Sequence, residues 1–234
     1  MIFLPTVGST NDVAAAIAAE GAVVIADGQT AGRGRRGHSW FSPAGSGVYL
    51  SIVLRPARAR TDPDRATQLL TLAAGVAVSE GISAATGLSS DLKWPNDVFA
   101  GRRKLAGILA EAADGVVVLG YGINVTPASH PPELGDRATS LESELGRAID
   151  RHDVLVETLA ALARRYDDLL NGQFDAILDA WRSRAPSAVG AHVKWSQAET
   201  PHSGVTAGID NRGALLVRVG DCIERIVSGE LNWF

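Results

Sequence analysis

"DLKWPNDVFAGRRKLAGILAEAADGVVVLGYGINV", residues 91–125, decides the architecture. Short β-rich runs follow one another with only turn residues between them: Gly101-Arg102-Arg103 and then Asp114-Gly115. Strands joined this tightly must run antiparallel, because a parallel pair needs a crossover of a dozen residues or more. The segment therefore predicts hairpin-linked strands, and with the helices around it an α+β protein with a mixed sheet. Gly107 interrupts the third run, a place where a ligand or another backbone can come close.

Working outward, Ser9-Thr10-Asn11-Asp12 precedes the alanine-rich "VAAAIAAEG", a capped helix closed by Gly21. "AVVIAD" and "GVYLSIVLRP" read as strands on either side of a glycine- and arginine-rich loop. Asp62-Pro63 opens a long helix whose Leu69, Leu72, Ala73 and Val76 share a face. The run 127–138 is a loop on composition, and Thr139 with Glu142 has the spacing of a capping box. "HDVLVETLAALARRYDDLLNG" and "QFDAILDAWRSRA" are two further helices, the second ended by Pro186. Beyond Val189 only short strands and turns remain, ending in "CIERIV", which predicts a small all-β module, a barrel. The expected division is 1–187 for the large unit and 188–234 for the small one.

Net charge is −4, so the chain is a poor general polyanion binder, since such affinity comes from phosphate neutralisation. The single cysteine, Cys222, excludes an intrachain disulfide, and the five histidines show no metal-ligand spacing. The first residues lack a signal-peptide pattern, and no 18-residue apolar run is expected to span a bilayer. These readings favour a cytoplasmic protein.

Basic charge is local. "GRGRRGHSWFSPAGSG", residues 32–47, sets three arginines in four positions among glycines. Glycine lets backbone N–H groups approach an anion, and the guanidinium fork suits phosphate or carboxylate. The pattern is neither a P-loop nor a dinucleotide fingerprint. Nucleic acid, a membrane surface and a small anion all remain open on this loop alone; only Trp40 and Phe41 could stack on bases. "KWPNDV", residues 93–98, is more specific. The chain has only three lysines, and two of them, Lys93 and Lys104, fall within the segment that sets the fold. As plain structure, Trp94 would pack in the core and Asn96-Asp97 make the turn. Asn124 would be a strand-end polar residue, and Ser9 and Thr10 simple N-caps.

Taken together, "STN" at 9–11, "QTAGRGRRG" at 29–37, "KWPNDV" at 93–98, "KLAGILAE" at 104–111, "GINV" at 122–125 and "ATSL" at 138–141 resemble, in order, the biotin protein ligases. The C-terminal "SGVTAGIDNRGALLV" resembles that family's ending. The resemblance implies a catalytic domain of the class II aminoacyl-tRNA synthetase and biotin ligase type, followed by a Src-homology-3-like barrel. It implies an enzyme that uses biotin and ATP with Mg²⁺ to form biotinyl-5'-AMP, then passes biotin to a lysine of a carboxylase carrier domain.

The positions that match the family place Ser9, Thr10, Asn11, Gln29, Gly32, Arg33, Gly34, Arg35, Lys104 and Gly107 around biotin. Arg33, Arg36, Lys93, Asn96, Asp97, Lys104 and Asn124 fall on the ATP side. Lys104 and Arg35 are the implied catalytic cations, and the arginine loop is implied to be a lid that shields the labile anhydride from water. Its partner is the biotin carboxyl carrier protein, with a homodimer through sheet edges left open, and neither DNA nor membrane. No metal ligand is assigned. Two positions depart from the pattern: His38 stands where the family commonly has arginine, and "LNWF" after Glu230 carries no basic residue. The start of the chain leaves no room for a helix-turn-helix ahead of Ser9, which implies a ligase that is not also a repressor. A lipoate ligase of the same lineage and an RNA-binding arginine loop are the alternatives.

Overall fold

The structure is a computed structural model that describes residues 1–113, 115–197, 200–229 and 231–233. The large sheet has seven strands. They are β1 (Ile2–Val7), β2 (Val23–Gln29), β3 (Gly47–Leu54), β4 (Asp91–Lys93), β5 (Asp97–Ala100), β6 (Arg103–Ala113) and β7 (Val116–Asn124). Their order is β1-β2-β3-β7-β6-β5-β4. Helix α1 (Thr10–Ile17) carries the chain from β1 to β2, the one parallel pair; every other neighbour is antiparallel. The sheet is mixed, as expected, through its β1–β2 pair, and residues 91–125 form the run of antiparallel hairpins that their spacing predicts. Asp114, half of the second predicted turn, lies outside the described residues.

The two faces of this sheet differ. One is covered by α2 (Pro63–Thr86), with α4 (Arg151–Leu170) packed against α2 and β3, and α5 (Phe174–Arg182) packed against α2 and α4. Leu50, Leu119, Ile123 and Ile108 of the strands, with Leu69, Leu72, Ala73 and Val76 of α2, belong to one buried cluster. α2 begins where Asp62 accepts a hydrogen bond from the Arg65 amide at 3.0 Å and ends at Gly87, whose φ is +80°. Contrary to the sequence expectation, α2 is long and apolar enough to cross a membrane, yet 72% of its apolar window is buried within the fold. It is apolar nearly all round because it is sandwiched, as a central core helix must be.

The other face carries only α1, over a small cluster of Ala14, Val24, Val53, Val116 and Val118. Toward the other end of the same strands no described helix covers the face; Trp40 of the basic loop rests there, and the cavity opens beside it.

At the start of the short α3 (Leu141–Leu145) the expected capping box of Thr139 with Glu142 does not form. Ser140, not Thr139, caps the helix, accepting from the Ser143 amide at 3.3 Å. Thr139 is drawn away: its amide donates to the Lys104 carbonyl at 2.9 Å and its hydroxyl to Glu144. The second sheet has five antiparallel strands, β8 (Val189–Gln197), β9 (Thr200–Ile209), β10 (Leu215–Val219), β11 (Cys222–Ile226) and β12 (Asn232–Trp233), in the order β11-β10-β9-β8-β12. Val193, Leu215 and Val217 from this sheet join the cluster that contains α2. Trp94 adds a buried link, its indole N–H donating to the Gly213 carbonyl at 2.9 Å. The two sheets thus share one core.

Candidate active site

The cavity encloses about 830 Å³ above this end of the sheet. Its floor is made by glycine. Gly107 of β6 lies opposite Gly122 of β7, and Gly120 lies opposite Leu109. A methyl group on Gly122 would meet the Trp40 indole nitrogen at 2.2 Å, and one on Gly120 would meet Asn11 Oδ1 at 2.2 Å. Side chains from α1 and the basic loop therefore rest directly on the backbone of the strands. Trp40 Nε1 is buried there without a hydrogen-bond partner among the described residues. An unsatisfied buried donor is costly, and a ligand acceptor would relieve it.

One wall is uncharged and polar. Ser9, Thr10 and Asn11 are buried at the start of α1. Ser9 takes the N-cap position by backbone conformation, but its side chain makes no cap bond, so the plain-cap reading does not account for it. Thr10 donates through its amide (2.9 Å) and hydroxyl (3.1 Å) to Gln29 Oε1, while Gln29 Nε2 donates to Ser42 at 2.9 Å. Ser51 Oγ lies 2.7 Å from Thr10 Oγ1 and 2.5 Å from Asn11 Oδ1. This network holds a set of amide and hydroxyl groups rigid before anything binds.

The basic loop closes one side. It is folded on itself: Trp40 donates to the Gly32 carbonyl at 2.8 Å and Gly34 to the His38 carbonyl at 2.7 Å. Arg36 holds the left-handed conformation at φ 53°, unusual outside glycine. Arg33 pairs with Asp12 and Glu111, both at 2.9 Å. Arg35 reaches Asn96 Oδ1 at 3.3 Å and the Gly229 carbonyl at 3.5 Å, so loop, corner and small sheet meet there.

The far end holds the two lysines. The "KWPNDV" corner turns from β4 to β5, with Trp94 buried as expected and Asn96 Nδ2 donating to the Ile108 carbonyl at 2.8 Å. Lys104 Nζ is 2.6 Å from Asp97 Oδ1, an ion pair that falls short of a directed hydrogen bond and leaves that buried oxygen without a well-aligned donor. Lys104 also stands 5.4 Å from the Trp40 ring centre. Lys93 lies between Phe99 (4.8 Å) and Trp233 (5.0 Å). Burial pushes its ammonium below the usual lysine range; Asp97 opposes the shift and Lys104 adds to it. Segment 127–138 closes this end. The Lys104 amide donates to the Arg137 carbonyl at 2.8 Å, and Asn124 Nδ2 donates to the Thr139 carbonyl at 2.9 Å.

Every site residue named from the sequence lines this one cavity. Among the described residues, Arg33, Arg35, Arg36, Lys93, Lys104 and Arg137 line it against a single carboxylate, Asp97. Such a concentration of cations in a protein of net charge −4 focuses the field on small anions. Sequence reasoning did not single out Arg137, Trp233 or Ser51 for the site. Arg137 could have been found from its place directly before "ATSL"; the other two carry no motif signal. Of the "LNWF" ending, Leu231 and Trp233 line the cavity, while Glu230 and Phe234 lie outside the described residues. No group of three or more His, Cys, Asp or Glu side chains able to hold a metal occurs among the described residues.

A deep cleft with one rigid neutral-polar wall, a glycine floor and a cationic far end is the site of an enzyme that handles small anions. The profile of the Biotin/lipoate A/B protein ligase family matches residues 4–126, and the chain belongs to that family. Within it the chain is a biotin protein ligase. It is 38% identical over 236 residues to the biotin–[acetyl-CoA-carboxylase] ligase of Mycobacterium tuberculosis, covering 96% of this chain and 85% of that protein. It is 40% identical over 222 residues to the bifunctional ligase/repressor BirA of Bacillus subtilis, covering 92% of this chain and 67% of that one. The biotin protein ligase of Aquifex aeolicus in complex with biotin and ATP superimposes with a TM-score of 0.86 at 31% identity, covering 100% of this chain and 97% of that one.

Proposed function

We propose that the protein joins biotin to ATP, releasing pyrophosphate, and then transfers the biotinyl group to one lysine of a carboxylase carrier domain. A biotin carboxylate oxygen attacks the α-phosphorus and pyrophosphate leaves. The acceptor amine then attacks the acyl carbon, AMP leaves, and the amine gives up a proton. The reading is carried by one observation: the preorganised neutral wall and the crowd of cations face each other across one glycine-floored cavity. A neutral ring system with a carboxylate tail fits the first, and a triphosphate fits the second.

Ser9, Thr10, Asn11, Gln29, Gly32 and Gly107 hold the vitamin. Lys93, Asn96, Asp97, Asn124 and Arg36 hold the nucleotide, and Arg33, Gly34, Arg35 and Lys104 serve both. Two anions repel at reacting distance, and Lys104 and Arg35 offset that repulsion and stabilise charge on the reacting phosphate. Mg²⁺ would come with ATP, its ligands supplied mostly by phosphate and water, and would supply charge neutralisation on the triphosphate. Residues 1–187 are the catalytic unit. Residues 188–234, a Src-homology-3-like barrel in this reading, border the nucleotide end through Trp233, which stands against Lys93.

The test is a mass spectrum of a biotin carrier domain incubated with the protein, ATP and biotin. One added biotinyl group, absent when either small molecule is withheld, is the expected result. Transfer of lipoate but not biotin would refute the assignment within the family.

A further inference from the structure

Glu111 on β6 stands behind two residues that line the cavity, and its Oε2 accepts from both at once: Asn11 Nδ2 at 2.6 Å and an Arg33 guanidinium nitrogen at 2.9 Å. We infer that Glu111 is a positioning residue that couples the basic loop to the polar wall, so that closing the loop and orienting Asn11 are one event. The inference rests on the ligase reading only in its ligand arm.

Asn11 is buried, its Oδ1 is 2.5 Å from the Ser51 hydroxyl, and Gly120 beneath it leaves the amide lying on the strand. A hydroxyl on one side and a carboxylate on the other satisfy only one orientation of that amide. Glu111 thereby decides which way the Asn11 donor points. The same oxygen anchors Arg33, whose guanidinium bridges Glu111 and Asp12. Lifting the loop takes Arg33 away and leaves two carboxylates without their shared cation. Coupling of this kind is reciprocal: whatever fixes Asn11 steadies Glu111 for Arg33, and the reverse. Arg33 and Glu111 are 41% and 37% exposed, so the latch is modest and screened by salt, as suits a loop that must reopen.

The experiment is limited trypsin digestion of the ligand-free full chain, following cleavage after Arg35 and Arg36 by mass spectrometry. Glu111→Gln keeps the shape and removes the charge; it should speed cleavage about 3- to 5-fold at low salt, with the difference vanishing in 1 M NaCl as the pair is screened at roughly that concentration. Arg33→Gln should do the same, and Asn11→Ala should speed cleavage about 2-fold, an effect that disappears when Arg33→Gln is already present. Equal digestion of Glu111→Gln and the parent would overturn the latch, and additive effects of Asn11→Ala and Arg33→Gln would overturn the coupling. In the ligand arm, Glu111→Gln should weaken biotin binding about ten-fold by calorimetry. Unchanged affinity would refute the orienting role, whereas a parent that binds no biotin defeats the ligase reading and leaves the digestion result standing.

Discussion

Placing one methyl group on Gly122 separates the site from the fold. The three atoms nearest an added Cβ all belong to Trp40, at 2.2, 2.6 and 3.0 Å. Ordinary contact begins near 3.4 Å, so Gly122→Ala displaces the indole by about 1.2 Å from the floor. Trp40 is tied to the Gly32 carbonyl and stands against Lys104, so the shift propagates into the loop and toward the implied catalytic cation. A displacement of about 1 Å costs on the order of 10²-fold in a positioned reaction, or about 2.7 kcal/mol. The fold has little to lose. Overpacking costs roughly 1–3 kcal/mol where nothing can move, and alanine returns about 0.4–1 kcal/mol through the unfolded chain. Trp40 belongs to a loop, so a net change under about 1 kcal/mol is expected, a midpoint shift of roughly 2–4 °C. Pyrophosphate release measured with biotin and ATP, beside a thermal melt, reads both quantities. A variant with parental turnover would refute the assignment of this floor to the reaction; a collapsed melt would show the indole to be part of the core.

Lys104→Ala should cut adenylate formation by at least about 10³-fold while the melt moves by less than roughly 4 °C, because the side chain pairs with Asp97 at a partly open site. Quenched-flow detection of the adenylate checks the first figure and calorimetry the second. The depressed Lys93 ammonium is charged, and attracts phosphate, only below its lowered pKa; as pH rises through that value the KM for MgATP should climb. Lys93→Arg should move the alkaline rise to higher pH, and an identical pH profile would reject a role for this charge. Trp94→Phe leaves the Gly213 carbonyl without its donor, which should cost about 1–3 kcal/mol. Urea unfolding should remain a single transition, since the two sheets share one core; two transitions would contradict that packing.

Hairpin spacing made the centre of the large sheet legible, and the motifs made the cavity legible, because turn chemistry and charge are local signals. Strand β1 was not. Pro5 and the absence of alternation in "MIFLPTV" argue against a strand, but β1 is an edge, where the outer side of the ladder needs no donor. Strand β12 has two residues, too few for any period. The helix start at Ser140 was misplaced by one residue because Thr139 is claimed by Lys104 across the chain, a contact no local pattern encodes. Glu111 and Ser51 read as ordinary strand residues. Their importance lies in what α1 and the loop bring to them from 40 and more positions away.

The chain between Asn124 and Thr139 forms an arch with pinned feet: Asn124 grips the Thr139 carbonyl, and Thr139 and Arg137 grip Lys104 from both sides. Residues added at the crown, at the exposed Pro132 and Glu133, only enlarge the span, because neither lines the cavity. One residue inserted between Arg137 and Thr139 would put the two grips out of step, because they bracket a single residue of β6, Lys104, whose own register is held by β5 and β7. Length is free at the top of the arch and forbidden at its foot.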